Sequence, residues 1–154
     1  MSRVEYCNRD TGLHLPSQSQ CMQFVQEHVV PDMLKMTDGS PEMSFRRVTK
    51  NDNIKQAVER LYNDSSPVTC IFAYGPHIQK MLSILEICKK ALAEQNQGEL
   101  HQWNRLACFV LIEEGRNDLV ECRRRVPILV SIVTKTVEVA SQLQLEMKGF
   151  TRQS

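Results

Sequence analysis

Apolar and polar positions are patterned most clearly between residues 68 and 92, which predict a strand, a turn and a helix. The run Val68–Tyr74 is apolar at both odd and even positions, as is typical of a strand buried on both faces. Gly75 ends the run, and Pro76 has a backbone geometry suited to the first turn of a helix. Apolar residues cover roughly 200° of this helix, whereas a single packed face needs about 100°. The helix therefore needs two covers: a sheet, and either another helix or a partner subunit.

The N-terminal third of the chain predicts an arm followed by a helix. Residues 1–16 are mixed and polar and show no period, which is typical of an arm. Ser17 and Gln20 have the spacing of a capping box, and apolar residues then follow at helical intervals. We therefore predict a helix over about 17–36, which Pro31 either kinks or stops.

The middle of the chain predicts a short strand and a second helix. Residues 43–48 predict the strand, in which the adjacent Arg46 and Arg47 must point to opposite faces. The helix that follows can be capped by Thr49 together with Asp52, and Asn51 is a competing cap.

The C-terminal part predicts three more strands. Residues 103–112 alternate, and 126–133 return as the second strand of a hairpin whose long connection, 113–125, is charged. Pro127 predicts one of two arrangements: the returning strand lies at the edge of the sheet, or the proline is among the first residues of that strand. Apolar residues of one parity over 137–147 favour a last strand.

These elements predict one α/β domain, of the two-layer α+β kind, over residues 17–150 with its core at 43–147. The order β-α-β-α-β-β gives one mixed sheet, and because such crossovers are right-handed, both crossover helices lie on one face. The other face of the sheet stays available. The length of 154 residues suits a single domain.

Composition limits the function classes only a little. The chain has 19 basic and 18 acidic residues, so the net charge gives no argument for nucleic acid. Six cysteines without a C-x-x-C pair, three of them in apolar runs, favour reduced thiols in an intracellular protein. The scattered histidines argue against a zinc site, and we expect no cofactor. No apolar run approaches the roughly 18 residues of a membrane span.

Five segments in a fixed order carry a resemblance to a known family. The strand enters its helix as AYGPHIQKM (73–81), and this glycine turn followed by an apolar residue and a lysine resembles the Alba family. Within that family, the chain is most similar to the smaller Alba-type subunits of fungal ribonuclease P and ribonuclease MRP. The segments that carry the second likeness are 50–55, 71–90, 102–106, 114–119 and 126–130. The likeness covers about residues 17–133.

The resemblance implies a non-catalytic, RNA-binding subunit of a ribonucleoprotein. In such particles the RNA carries the nuclease activity, and this subunit binds one helical arm of that RNA as a heterodimer with a second Alba-like protein. It further implies other protein subunits as partners, a role in tRNA 5′ maturation and rRNA processing, and a nuclear, nucleolar location. The near-neutral charge and the N-terminal helix differ from the basic archaeal members, which favours one dedicated RNA over general duplex binding.

Three regions are candidates for RNA contact: the start of the first crossover helix, the start of the second, and the hairpin. Backbone N–H groups at a helix N-terminus and nearby cations bind phosphate, but each region can equally be explained by helix capping or by solvated ion pairs. The candidate residues are Lys50, Asn51, Asn53, Lys55, His77, Lys80, Arg46, Arg116, Arg123 and Arg124.

The wide apolar arc of the second crossover helix is the candidate partner interface, because the resemblance implies pairing through this helix. Its residues are Met81, Ile84, Leu85, Ile87 and Cys88. Two rival functions stay open. One is an enzyme in which Cys70 or Cys88 is the nucleophile and His77 the base. The other is a protein–protein dimerisation module without direct RNA contact.

Overall fold

The computed structural model describes residues 2–36, 41–114 and 121–153, and the strands in these ranges form one sheet. The strands are β1 (Ser2–Tyr6), β2 (Arg9–Asp10), β3 (Met43–Arg47), β4 (Val68–Tyr74), β5 (His101–Glu114), β6 (Glu121–Thr134) and β7 (Thr151–Gln153). The helices are α1 (Gln18–Phe24), α2 (Val30–Leu34), α3 (Ile54–Tyr62), α4 (His77–Glu94) and α5 (Val137–Leu143). The strand order is β2-β1-β5-β6-β4-β3, and β7 pairs with β5.

The predicted β-α-β-α-β-β order is confirmed as β3-α3-β4-α4-β5-β6. Strand β3 is parallel to β4, and β4 and β5 are both antiparallel to β6, so α3 and α4 each connect parallel strands. Both helices pack on the same face of the sheet, as predicted. Every residue of β4 is buried, which explains why its sequence lacks alternation.

The opposite face of the sheet is covered, so the prediction that it stays available was wrong. Helices α1, α2 and α5 pack there against β4, β5 and β6. Cys21, Val25 and Val29 of the N-terminal helical segment are fully buried in this second core. The described residues therefore form three layers, with the sheet between two layers of helices.

The first residues of the chain are part of the sheet and not the predicted arm. Strand β1 runs antiparallel to β5, with Val4 opposite Leu111, and the short β2 pairs with the end of β1. Val4 is the only fully buried residue of β1. A strand with one buried residue among polar neighbours has no detectable apolar period, which is why the sequence pattern missed it.

The N-terminal helical segment passes through Pro31 instead of stopping there. A π-helical turn at Val25–Val29 joins α1 to α2, and Pro31 lies in the first turn of α2. Because proline has no N–H and its ring crowds the preceding turn, the wider π turn accommodates it. The expected capping box is absent, since the Ser17 side chain makes no capping hydrogen bond.

Strand β6 lies in the middle of the sheet, so Pro127 does not mark an edge. Pairing between β4 and β6 ends at Tyr74 and Ile128, and Pro127 is the next residue outward on β6. Its carbonyl oxygen accepts a hydrogen bond of 2.8 Å from the Gly75 N–H. Because β4 has ended at this point, the sheet loses no β4–β6 hydrogen bond through the missing N–H of Pro127.

The strand predicted over 137–147 is a helix followed by turns. Val137, Ala140 and Leu143 recur at three-residue intervals, and the last two are buried against the sheet. Val139 and Leu143, four positions apart, imitated a strand because a four-residue spacing fits both the strand period of two and the helical period. Within the described ranges, no helix is long and apolar enough to cross a membrane.

Candidate nucleic-acid interface

The three regions predicted to contact RNA meet at one end of the sheet, where the hairpin contributes its base. Parallel strands β3 and β4 end at the same edge, so the loop at residues 48–53 lies beside the turn at Gly75 and Pro76. Strand β6 is antiparallel to β4 and continues past this edge through Arg124. The topology itself brings together the start of α3, the start of α4 and the base of the hairpin.

The Lys80 side chain holds the loop before α3 in place. Its ammonium group donates to the carbonyl oxygens of Thr49 at 3.3 Å, Lys50 at 2.8 Å and Asp52 at 2.7 Å. An ammonium group has three N–H donors, so these contacts use all of them. Lys80 therefore contributes both positive charge and loop order at this predicted RNA-contact position.

Helix α3 is capped by Asn53, so the predicted caps at Thr49 and Asn51 were wrong. The Asn53 Oδ1 accepts from the Gln56 N–H at 3.3 Å. Asp52 instead accepts from the Thr49 N–H at 2.7 Å and closes the loop. The candidate side chains Lys50, Asn51, Asn53 and Lys55 are all exposed.

Helix α4 starts beside a close contact between two strands. Gly75 has φ of +59°, which favours glycine, and an added Cβ would lie 3.4 Å from Val126 Cγ1. Pro76 is the N-cap, and the described residues place no side-chain hydrogen bond on this helix start. Among the described residues, the positive end of the helix dipole therefore has no side-chain cap at this start.

His77, the first residue of α4, lies among positive charges. Burial, and then the nearby ammonium groups of Lys80 and Lys50, lower the pKa of His77 below its ordinary value. Its ring meets Tyr74 edge to face, with ring centres 5.7 Å apart. These interactions place His77, Lys50 and Lys80 in one electrostatic cluster.

A cleft of about 940 Å³ opens between the start of α4, the first half of β6 and the segment before α1. Among the predicted residues, His77 and Arg124 line it. His14, Gln18 and Arg125 also line it and were not predicted. Arg125 lies next to a predicted residue, but His14 and Gln18 come from the N-terminal part, where no local pattern signals a contact with β6.

The wall of the cleft formed by residues 13–16 is fixed by hydrogen bonds to the core. The Tyr74 hydroxyl donates to the Leu15 carbonyl at 3.0 Å, and the Cys21 thiol donates to the His14 carbonyl at 3.4 Å. The Gln18 Oε1 also accepts from the Lys50 N–H at 3.3 Å, which joins this wall to the loop before α3.

The remaining arginine candidates do not join this cluster. Arg46 binds Asp64, with Nη2 and Oδ2 2.9 Å apart. Burial opposes ionisation of Asp64, but hydrogen bonds from Ser66, Ser44 and Arg46 outweigh it and hold the Asp64 pKa well below its usual range. Arg123 lies 3.7 Å from Glu121 in an exposed ion pair. The candidate Arg116 lies outside the described residues.

Comparison with known proteins gives a family for this arrangement. The profile of the Alba family matches residues 46–110. The chain is 40% identical to the ribonucleases P/MRP protein subunit POP6 of Saccharomyces cerevisiae, over 97% of this chain and 98% of the relative. This chain belongs to the same family as that yeast subunit and contains an Alba domain. Alba from Thermoplasma volcanium also aligns, with a TM-score of 0.39, 14% identity, and coverage of 60% of this chain and 99% of the archaeal one.

The Alba match takes in the last two residues of β3, then α3, β4, α4 and most of β5, but the N-terminal segments lie outside it. Strand β1, the segment before α1 and α1 itself all precede residue 46. Seven of the 17 residues that line the cleft therefore come from N-terminal segments outside the match.

The predicted partner interface on α4 is mostly core. Met81, Ile84, Leu85 and Cys88 are fully buried between the sheet and α3, and only Ile87 is exposed, at 47%. The wide apolar arc thus has an explanation within the chain, because the sheet covers one part and α3 the other. The prediction was wrong for the four buried residues.

Exposed apolar side chains lie instead on the flank of α4 that faces β5. Glu86 and Lys89 of α4 share a pocket with Leu100 and His101, so this flank overlooks β5. Leu82, one turn before Glu86, is 38% exposed, and Leu106 of β5 is 68% exposed. Leu106 lies directly opposite Leu129, which belongs to the core beneath α4.

The cysteines do not form the nucleophile of the rival enzyme hypothesis. Burial raises the pKa of the Cys70 thiol well above its ordinary value, and it also raises the pKa of the Cys88 thiol. A nucleophilic thiol needs the opposite shift. No group of His, Cys, Asp or Glu in the described ranges could hold a metal ion.

Proposed function

We propose that this protein is a non-catalytic, RNA-binding subunit of a ribonuclease P and ribonuclease MRP particle, with a role in tRNA 5′ maturation and rRNA processing. The full-length similarity to a yeast subunit of that name supports the assignment. The observation that carries RNA binding is the convergence of Lys50, His77 and Arg124 at one end of the sheet. In this proposal the protein is nuclear and concentrates in the nucleolus, where it meets the RNA and the other protein subunits.

The contacts in this proposal are to the RNA backbone. Lys50 and Lys55 present exposed ammonium groups at the start of α3, and the start of α4 lines the cleft without a side-chain cap. Arg124 supplies a guanidinium on the opposite side of the cleft. Because the major groove of an A-form helix is too narrow for side chains, such contacts recognise shape and phosphate positions without reading sequence.

The same proposal includes a second Alba-like subunit as a heterodimer partner. The exposed leucines Leu82 and Leu106 offer it an apolar surface beside the polar strip of α4. Exposed apolar residues grouped on one face are typical of protein interaction sites. Ile87 lies on the flank of α4 away from this surface and stays a separate candidate.

The deciding experiment is purification of the full-length protein from cells with its bound molecules. We expect one discrete RNA and a second small protein, and binding of the purified complex to that RNA that falls steeply with log salt. A protein partner without RNA, together with a flat salt titration, would instead identify the dimerisation module.

A further inference from the structure

We propose that the cleft between α4 and β6 receives a single unpaired nucleotide of the bound RNA, with the base inside and its phosphate at the rim. This inference rests on the proposed RNA binding and adds a specific feature of the RNA to it. The cleft volume of about 940 Å³ lies within the range of about 300–1,000 Å³ that is usual for small-ligand sites.

The interior of the cleft is apolar and suits the faces of a base. Leu13, Leu15, Leu111, Val126 and Pro127 line it. Leu111 and Val126 belong to the core beneath α1, whereas Leu13 and Leu15 are half-buried and pack against that core. A flat apolar ring that leaves water for this space gains the free energy of apolar burial.

The rim of the cleft is cationic and suits a phosphate. Arg124 and Arg125 on β6 are exposed, His77 lies at the start of α4, and His14 is exposed on the facing wall. Glu113 is the acidic residue among the lining side chains. Arginine forms paired hydrogen bonds with phosphate oxygens, and the helix start adds positive potential on the other side.

The combination of an apolar interior and a cationic rim distinguishes an unpaired nucleotide from a paired stem. A stem presents phosphates, but its bases are stacked inside the duplex and cannot enter a cleft. Bulges and internal loops expose unstacked bases, and their extrusion costs little. The walls need no rearrangement, because Tyr74 and Cys21 already fix residues 13–16 through hydrogen bonds.

The test compares two RNA hairpins that differ only in one residue. The first has a single bulged 2-aminopurine in its stem, and the second has the same 2-aminopurine paired within the stem. We expect the full-length protein, with the partner with which it purifies, to bind the bulged RNA about tenfold more tightly. The fluorescence of the bulged 2-aminopurine should change on binding, while that of the paired one should not.

Two variants test the cleft itself. Leu13→Trp fills the half-buried interior and should abolish the tenfold preference while the salt dependence of stem binding is retained. His14→Glu reverses the charge at an exposed rim position and should reduce the preference without affecting the fold. The matched control is Lys90→Glu, an exposed residue near the other end of α4.

The outcomes separate the inference from the proposed function. If both hairpins bind equally with steep salt dependence and unchanged fluorescence, the cleft does not hold a base, and RNA binding still stands. A preference that survives both cleft variants also overturns the inference. If neither hairpin nor the copurified RNA binds, the proposed function and the inference both fail.

Discussion

The Lys80 ammonium group donates a 2.7 Å hydrogen bond to the carbonyl oxygen of Asp52 and so ties the start of α4 to the loop before α3. Two further carbonyl oxygens of the same loop, those of Thr49 and Lys50, accept from it. A charged side chain at a candidate RNA site is therefore also a structural element, and its replacement affects two properties at once.

Replacement of Lys80 by Met should reduce both stability and RNA binding. The three carbonyl oxygens lose a charged donor in a partly buried site, so we expect a loss of about 1–3 kcal/mol in the free energy of unfolding, measured by urea denaturation. Lys80→Arg keeps the charge but not the compact geometry of the ammonium group. Its free energy of unfolding should lie between those of the native protein and Lys80→Met. Unchanged stability in Lys80→Met would show that the loop does not depend on this contact.

Single removal of Lys50 or Arg124 should weaken RNA binding without affecting the fold. Both side chains are exposed, so Lys50→Ala and Arg124→Ala should change stability by no more than about 0.5 kcal/mol. Each should lower the slope of log K against log salt by about one ion. Lys90→Ala, an equal loss of charge near the other end of α4, is the control and should leave the slope unchanged.

Two neighbouring leucines on α4 should respond in opposite ways to the same substitution. Leu85 is fully buried, so Leu85→Asp places a carboxylate in the core and should prevent folding. Leu82→Asp should leave the fold intact and break pairing with the partner, as measured by copurification and light scattering. Ile87→Asp is the comparison on the other flank, and loss of pairing there but not in Leu82→Asp would move the interface to that side.

Asp64 should contribute stability that is lost in acid. Its folded pKa is lowered, so its contribution is fully present above the unfolded value of about 3.9 and disappears as the pH falls through the lower, folded value. Asp64→Asn should cost about 1–3 kcal/mol near neutral pH, and the difference from the native protein should shrink below pH 4. Glu59→Gln, an exposed change on α3, should show no such convergence.

RNA binding should strengthen in mild acid through His77. Its pKa is lowered below the ordinary value of about 6.5 by burial and by the ammonium groups of Lys80 and Lys50, so the ring is mostly neutral at pH 7 and gains positive charge as the pH falls. Protonation adds a cation at the start of α4, and a bound phosphate favours that charge. Affinity measured from pH 7.5 to 5.5 should rise in the native protein more than in His77→Gln, and parallel profiles would exclude His77 from the interface.

The core of the fold could be predicted from local patterns, because its elements carry strong signals. Val68–Tyr74 is apolar at both parities, and Gly75 and Pro76 mark the turn into α4. Strand β1 could not be predicted, since Val4 alone is buried and its pairing with β5 joins residues more than 100 positions apart. The end of the chain was misread because the four-residue spacing of Val139 and Leu143 fits both periods.

The candidate site was predictable in its members but not in their roles. Sequence identified Lys50, His77 and Arg124, which topology brings to one edge, yet no pattern could show that Lys80 donates to three carbonyl oxygens. The apolar arc of α4 illustrates the same limit. Its width correctly required a second cover, and whether that cover was α3 or another protein depended on tertiary packing that the helical period does not encode.

Strand β5 is bordered on its outer side by both the first and the last described strands. Ser2 of β1 pairs with Glu113, and Gln153 of β7 pairs with Gln102, near opposite ends of β5. Backbone groups that a neighbouring molecule could otherwise pair with are thereby occupied at both ends of this strand. The terminal segments thus protect β5 from edge-to-edge aggregation, and truncation of β7, which lies away from the cleft, would affect solubility before it affected the basic end of the sheet.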